Sequence, residues 1–407
     1  MIATTARRNA RAGNIKLLAI AIAGLMSGAA FAQTSVTIGG KFDAGYQFKR
    51  TSKADTAAGG PNGGSTTETL GDGAASTSRI TVGAKETLMP GWEAGVSLDL
   101  RFGTIEEGKG FTQDSTKTIT GQGGINSNDK KAMYLTTPIG TVQWGVINAG
   151  DNFYLAEKPY MVSPKDLEIV KYGIATYRIT ALTNRVTDIR TPTINMGPVG
   201  LLFKGQYAFG DNRKSGDSNI SSANSGDALS GGLEYKVGDM VNGGFDYLHR
   251  TPSTNGGTVP GVNAVEGFNF WRFYTSVKPL KGLKIAGTYI DQRGYGQNTV
   301  NSRRSGWADK VTNAVVSYNL NDKLEIGAEY SIVRDVGEFR NSGHGYMFGG
   351  AYFLSKNTYV YAAYQKNDWQ SNGSAYGGKY DGTSPGFSGT ASKTDSNYTR
   401  FGIVKEF

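Results

Sequence analysis

The sequence has 407 residues, no cysteine, two histidines and a formal net charge of +9. Without cysteine there is no disulfide framework and no thiol chemistry, and a His/Cys metal cluster is excluded by composition. Mean hydropathy is negative, and no apolar run reaches the ~20 residues of a spanning helix, which excludes a helical membrane protein.

Residues 1–32 read as an export signal. Arg7, Arg8, Arg11 and Lys16 precede a short apolar core, Leu17 to Leu25, and Ala30-Phe31-Ala32 fits the small-x-small cleavage rule. Cleavage is expected before Gln33, leaving one domain, 33–407. The signal carries four of the cations, so the remaining chain is only weakly basic. It lacks the dense basic patch of a nucleic-acid binder.

The first strand alternates strictly. Val36, Ile38, Gly40, Phe42, Ala44, Tyr46 and Phe48 share one face, while Thr37, Lys41, Asp43, Gln47 and Lys49 share the other. A slip by one residue would put Lys41 into lipid, at about 2–4 kcal/mol for a mid-bilayer lysine. Trp92, Ala94, Val96, Leu98, Leu100 and Phe102 oppose Glu93, Ser97, Asp99 and Arg101. Leu201, Phe203, Tyr207 and Phe209 oppose Lys204 and Gln206. Leu283, Ile285 and Tyr289 oppose Lys284 and Thr288. Leu324, Ile326, Ala328, Tyr330 and Ile332 oppose Glu325, Glu329 and Ser331, and Tyr346, Phe348, Tyr352 and Leu354 form another apolar face.

Short turns such as Leu88-Met89-Pro90-Gly91 and Thr137-Pro138-Ile139-Gly140 alternate with long polar stretches at 51–75, 103–128, 210–227, 251–264, 291–305 and 370–395. The last strand, Thr399 to Phe407, keeps alternating to a terminal aromatic, where soluble chains usually fray. This rhythm predicts an all-β, antiparallel transmembrane barrel of about sixteen strands. The fourth (131–137) and sixth (184–192) are weakly patterned. A secreted β-sandwich also alternates, but needs neither aromatic strand ends nor the long and short loop rhythm.

The segment 149–183 is too apolar for a solvated loop. It holds Phe153, Tyr154, Leu155, Tyr160, Leu167, Ile169 and Tyr172. Ser163 at N-cap, Pro164 at N1 and Asp166 at N3 predict a short helix over 164–172. Folded into a wide lumen, this loop would set Asp151, Glu157, Asp166 and Glu168 against basic wall residues. Opposed charges across a constriction make a field that sorts solutes by charge.

Two catalytic patterns fail. Gly382-Thr383-Ser384-Pro385-Gly386 matches a nucleophile elbow, but Pro385 has no N–H for an oxyanion. Gly103-x-x-x-x-Gly108-Lys109 resembles a phosphate loop but continues with Gly110 and no helix pattern. His249 and His344 are far apart in sequence and unaccompanied.

Ser35-Val36-Thr37-Ile38, Asp43-Ala44-Gly45, Ala75-Ser76-Thr77-Ser78-Arg79-Ile80, Tyr207-Ala208-Phe209-Gly210, Ala351-Tyr352-Phe353-Leu354-Ser355-Lys356-Asn357-Thr358, Tyr361-Ala362-Ala363-Tyr364 and the final Phe407 occur in an order and spacing that resemble the general, trimeric porins of Gram-negative outer membranes, closest to the β-proteobacterial ones. The resemblance implies a 16-stranded barrel with its third external loop folded inward, assembled as a homotrimer in the outer-membrane bilayer. It implies passive diffusion of small hydrophilic solutes and ions, no enzyme activity and no cofactor, and insertion signalled by Phe407. Arg79, Lys130 or Lys131, and Asp99 match family wall positions, and Arg185 matches more loosely. Gly145-Val146-Ile147-Asn148 replaces a usual Gly-Arg-Gln, so one wall arginine is missing. With the alternation, the expected basic lining is Lys41, Arg79, Arg101, Lys130, Lys131, Arg185 and Arg190, opposed by Asp99 and the loop acids. The excess of base leans toward anions. A channel specific for an organic acid or sugar, which would want an aromatic ladder, and a plugged adhesive barrel stand as the alternatives.

Overall fold

A computed structural model describes residues 34–51, 65–72, 78–101, 126–147, 186–209, 228–250, 267–295, 308–336, 341–370 and 393–407. Among them, eighteen strand segments pair antiparallel. They are β1 (Thr34–Thr51), β2 (Ser65–Asp72), β3 (Arg79–Met89), β4 (Trp92–Arg101), β5 (Asn126–Thr137) and β6 (Gly140–Val146). Next come β7 (Val186–Arg190), β8 (Ile194–Met196), β9 (Val199–Ala208), β10 (Ala228–Val237), β11 (Val241–Arg250) and β12 (Gly267–Leu280). The series ends with β13 (Leu283–Tyr295), β14 (Ala308–Asn321), β15 (Leu324–Val336), β16 (Asn341–Ser355), β17 (Thr358–Gln370) and β18 (Lys393–Glu406).

The segments make sixteen staves. β2 and β3 both pair with β1, at its far and near halves, and form one interrupted stave. β7 and β8 share β9 in the same way. β1 also pairs with β18, from Lys41↔Glu406 to Thr51↔Ser396, and closes the barrel. A closed sheet leaves no edge for lipid to desolvate.

Side chains repair both interruptions. Between β2 and β3, the Ser78 hydroxyl accepts the Asp43 N–H at 2.9 Å. Between β7 and β8 lies Pro192, which has no N–H to donate. Beside it the Thr191 hydroxyl accepts the Phe203 N–H at 3.0 Å, and the Thr191 N–H donates to the Phe203 carbonyl at 3.0 Å. β2 lies inside a stretch whose composition predicts only a loop. It is the stave's extension toward the long loops, where no apolar face is required. The fourth stave likewise begins earlier than expected, at Asn126.

At the seam, Gly40 and Phe407 exchange both backbone hydrogen bonds at 3.0 Å. The Phe407 ring lies 5.6 Å from that of Phe42. A Cβ on Gly40 would come within 2.4 Å of the Arg79 carbonyl oxygen and 2.7 Å of the Phe407 ring. The close approach requires glycine.

The polarity of a soluble sheet is inverted. Large apolar side chains are exposed on the outside, including Ile38, Phe42, Phe273, Ile326, Phe348 and Ile403. Buried polar ones line the inside, including Asp43, Asp188, Glu329, Gln365 and Arg400. Every apolar face named in the sequence analysis, where described, lies outward. On β11–β18 the outward register rows change character along their length. One runs Tyr247, Trp271, Asp291, Lys310, Arg334, and another runs Tyr330, Tyr346, Lys366. Barrel strands are tilted, so a row climbs the wall as it crosses staves. Each row passes from aromatic to charged as it leaves the hydrocarbon level.

Candidate functional site: the lumen wall

Alternation decides which side chains meet the lumen. On the first three staves Lys41, Arg79 and Arg101 share one inward register row, and Thr81, Asp99 and Lys130 share the next. The Arg79 guanidinium donates to Asp99 at 3.1 Å, with both groups part-exposed. The pair is therefore weakly held and still feels solvent. For Arg101 the backbone register alone is described.

Lys131 corrects the expected lining. Lys130 and Lys131 are consecutive, so a strand can send only one inward. Buried Ala132 fixes the parity, and Met133, more than half exposed, confirms it. Lys131 lies on the outer face between Leu98 and Val146, while Lys130 points in opposite Asp99.

Arg190 is inward on β7 and bonds Asp188 at 2.7 Å. It joins a group of charges that the alternation placed inward only in part and did not pair. Lys204 of β9 is paired with Glu234 of β10, and Arg272 of β12 with Asp246 of β11. These four side chains are nearly inaccessible. Leaving one partner alone there would strand a buried charge, at about 3–5 kcal/mol. Near the seam Arg400 is fully buried. It donates to Gln47 and Gln365, each at 2.8 Å, and lies over the Tyr398 ring at 4.9 Å. Tyr361 donates to Asp43 at 2.9 Å and ties β17 to β1.

At the short-turn end these walls enclose a cavity of about 1100 Å³. Lys41 and Arg79 line one side, and Lys278, Lys284, Ser317 and Glu325 the other. Cations outnumber acids around this mouth. Lys278 and Lys284 are further lining residues. The alternation places Lys284 inward, but nothing in the sequence brings either into one cavity with Lys41.

Asp151, Glu157, Asp166, Glu168, Arg185, the helix over 164–172 and both dismissed catalytic patterns lie outside the described residues. Both histidines are on the outer face: His249 contacts Asn269 at 2.8 Å and His344 contacts Asp368 at 3.3 Å. No group of three or more metal-ligating side chains occurs among the described residues.

A family model described as Gram-negative porin matches residues 18–372. The chain belongs to the Gram-negative porin family. As a porin it spans the outer membrane, and its barrel holds a water-filled channel for passive diffusion of small hydrophilic solutes and ions. Among solved structures, the anion-selective porin from Comamonas acidovorans superposes with a TM-score of 0.60 at 17% identity, over 92% of this chain and 100% of that one. OmpT of Vibrio cholerae, folded in vitro, gives 0.55 at 12% identity, over 92% and 98%. At these identities the likeness is one of fold. A search of curated proteins finds no match.

Proposed function

We propose that this porin is a general, weakly anion-preferring channel that performs no covalent chemistry, with the selectivity seated on the wall that carries Lys41, Arg79, Arg101 and Lys130. The inward register row of Lys41, Arg79 and Arg101 carries the reading, its three cations set against two acids, Asp99 paired with Arg79 and Glu406 opposite Lys41. Lys278 and Lys284 extend the positive field to the short-turn mouth. The anion-selective porin is similar in fold and lends the reading context. Inward tyrosines Tyr274, Tyr359, Tyr361 and Tyr398 are buried and offer no aromatic track to a sugar.

The opposite wall supports an inward third loop. Ile290, Val311 and Val333 form one inward row, with Leu248 and Val315 nearby. All are apolar, point away from lipid and are at most 4% exposed. Such a patch is a poor lining for water unless a segment of the chain lies on it. The apolar segment 149–183 is our choice for that segment. Its acids Asp151, Glu157, Asp166 and Glu168 then face the cationic wall across the pore, with Arg185 at its end. Residues 1–32 are removed on export, three copies assemble, and Phe407 is read by the insertion machinery.

The test is reversal potential in a planar bilayer under a KCl gradient. The native chain favours chloride and Arg79→Glu reduces or inverts that preference. A cation preference in the native chain overturns the proposal. The cysteine-free sequence allows a separate test of the loop. Paired cysteines at Val311 and within 153–174 should cross-link under mild oxidation, whereas the same loop positions paired with outward Val316→Cys should not.

A further inference from the structure

Opposite walls of the barrel line the one cavity of about 1100 Å³ at the short-turn mouth. On the first wall Lys41 and Arg79 stand directly across from each other on β1 and β3. On the second are Lys278 of β12 and Lys284 of β13. In the closed sheet β4 to β11 separate the two pairs on one side and β14 to β18 on the other. Lys278 falls where the register of β12 on β13 shifts, between Val277 and Leu280, and its N–H donates to the Met240 carbonyl at 2.7 Å. An irregularity of this kind re-aims the side chain it carries, here into the mouth. All four cations are half-buried, so their stems lie along the wall and their charged ends meet water. The acids around the cavity are differently placed. Asp239 is paired with Lys236 at 2.9 Å, Glu406 stands opposite Lys41, and Glu325 lies on the second wall. Thr81, Ser317 and Asn319 add neutral hydrogen-bonding groups to the lining.

We propose that this mouth is a transient binding site for short α,ω-dicarboxylates, which bridge Lys41 and Arg79 on one wall to Lys278 and Lys284 on the other. The inference rests on the reading of these cations as anion-selective lining, and it names the solute class they favour. A chloride ion or a monocarboxylate engages one pair at a time, and each such contact is weak in high dielectric. Once one end of a dicarboxylate is held, its other end meets the opposite pair at an effective concentration on the order of millimolar or higher. Two weak contacts then act as one stronger one. Because every contact stays wet, release remains fast, as conduction requires. A single wall with the same number of cations would attract dicarboxylates by charge alone, without any preference for two separated ends.

The experiment records chloride current through the full folded chain in a planar bilayer at about 0.1 M salt. Succinate is titrated against butyrate, and adipate against hexanoate, at matched ionic strength. In the native channel each dicarboxylate lowers the current saturably, with a half-effect concentration roughly tenfold below that of its monocarboxylate. Lys41→Gln/Arg79→Gln and Lys278→Gln/Lys284→Gln each bring the dicarboxylate close to the monocarboxylate value. Combining the two pairs adds little more, because a bridge is lost with either end. Single Lys41→Gln gives an intermediate loss if its double variant does not fold. Lys323→Gln/Lys356→Gln, with the same charge change in turns outside the cavity, behaves as native. Equal half-effects of dicarboxylate and monocarboxylate in a chloride-preferring native channel overturn this site alone. Losses that simply add between the two walls, or an equal loss in the turn control, overturn the bridge in favour of a diffuse field. A native channel that prefers potassium overturns both the site and the selectivity reading beneath it.

Discussion

Gly40 concentrates the demands of barrel closure in one residue. Its backbone holds Phe407, while the space a Cβ would need is taken by the Arg79 carbonyl and the Phe407 ring. A ring can turn away, but a carbonyl in a sheet cannot move without its ladder. Gly40→Ala should lower stability by about 1–3 kcal/mol, read as an earlier urea midpoint with unchanged selectivity. Asp99 is the reverse case. Its carboxylate partners Arg79 on a part-exposed wall, so its loss costs little stability but removes one negative charge from beside Arg79 and Lys130. Asp99→Asn should raise the chloride-to-potassium permeability ratio about twofold to fivefold, the range of one charge at close approach in a high dielectric. An unchanged ratio would place the selective charges elsewhere.

Interrupted staves show what single elements require. Where β2 gives way to β3, a serine hydroxyl stands in for the missing carbonyl and takes a buried N–H. Where β7 gives way to β8, a threonine does the same at a more exposed place. Ser78→Ala should therefore cost about 1–3 kcal/mol and Thr191→Val about 0.5–1.5 kcal/mol, an order that urea titration of the two variants checks directly. Both joints were only half legible in the sequence. Pro192 marks a break, but the partner of a break depends on register, and alternation is silent on register. The same limit explains the lumen. Alternation read the faces of β1, β4, β9, β13 and β15 correctly because lipid permits one answer per strand. It did not separate Lys130 from Lys131, where two like residues adjoin in a weakly patterned strand. Nor did it pair Lys204 with Glu234 or Arg272 with Asp246, whose meeting requires neighbouring staves in a particular alignment. β2 was read as loop because a stave that rises past the membrane carries no apolar signature.

On the scale of the whole barrel, two kinds of charge must be separated. Lys204, Glu234, Asp246 and Arg272 are withdrawn from solvent and mutually neutralised, so they hold the wall together and contribute little field to the pore. Lys41, Arg79, Lys278 and Lys284 line the open cavity at the short-turn mouth, where water and salt reach them. Selectivity that rests on the second group is a screened, long-range effect. The screening length falls from about 10 Å at 0.1 M salt to about 3 Å at 1 M, shorter than the span of a porin lumen. The chloride preference should therefore weaken steadily between those concentrations, and Lys278→Gln/Lys284→Gln should lower it most at the dilute end while leaving the unfolding midpoint unchanged. A preference that holds constant to 1 M would require direct ion contacts at a narrow ring, and the positive field of the mouth would then not be its source.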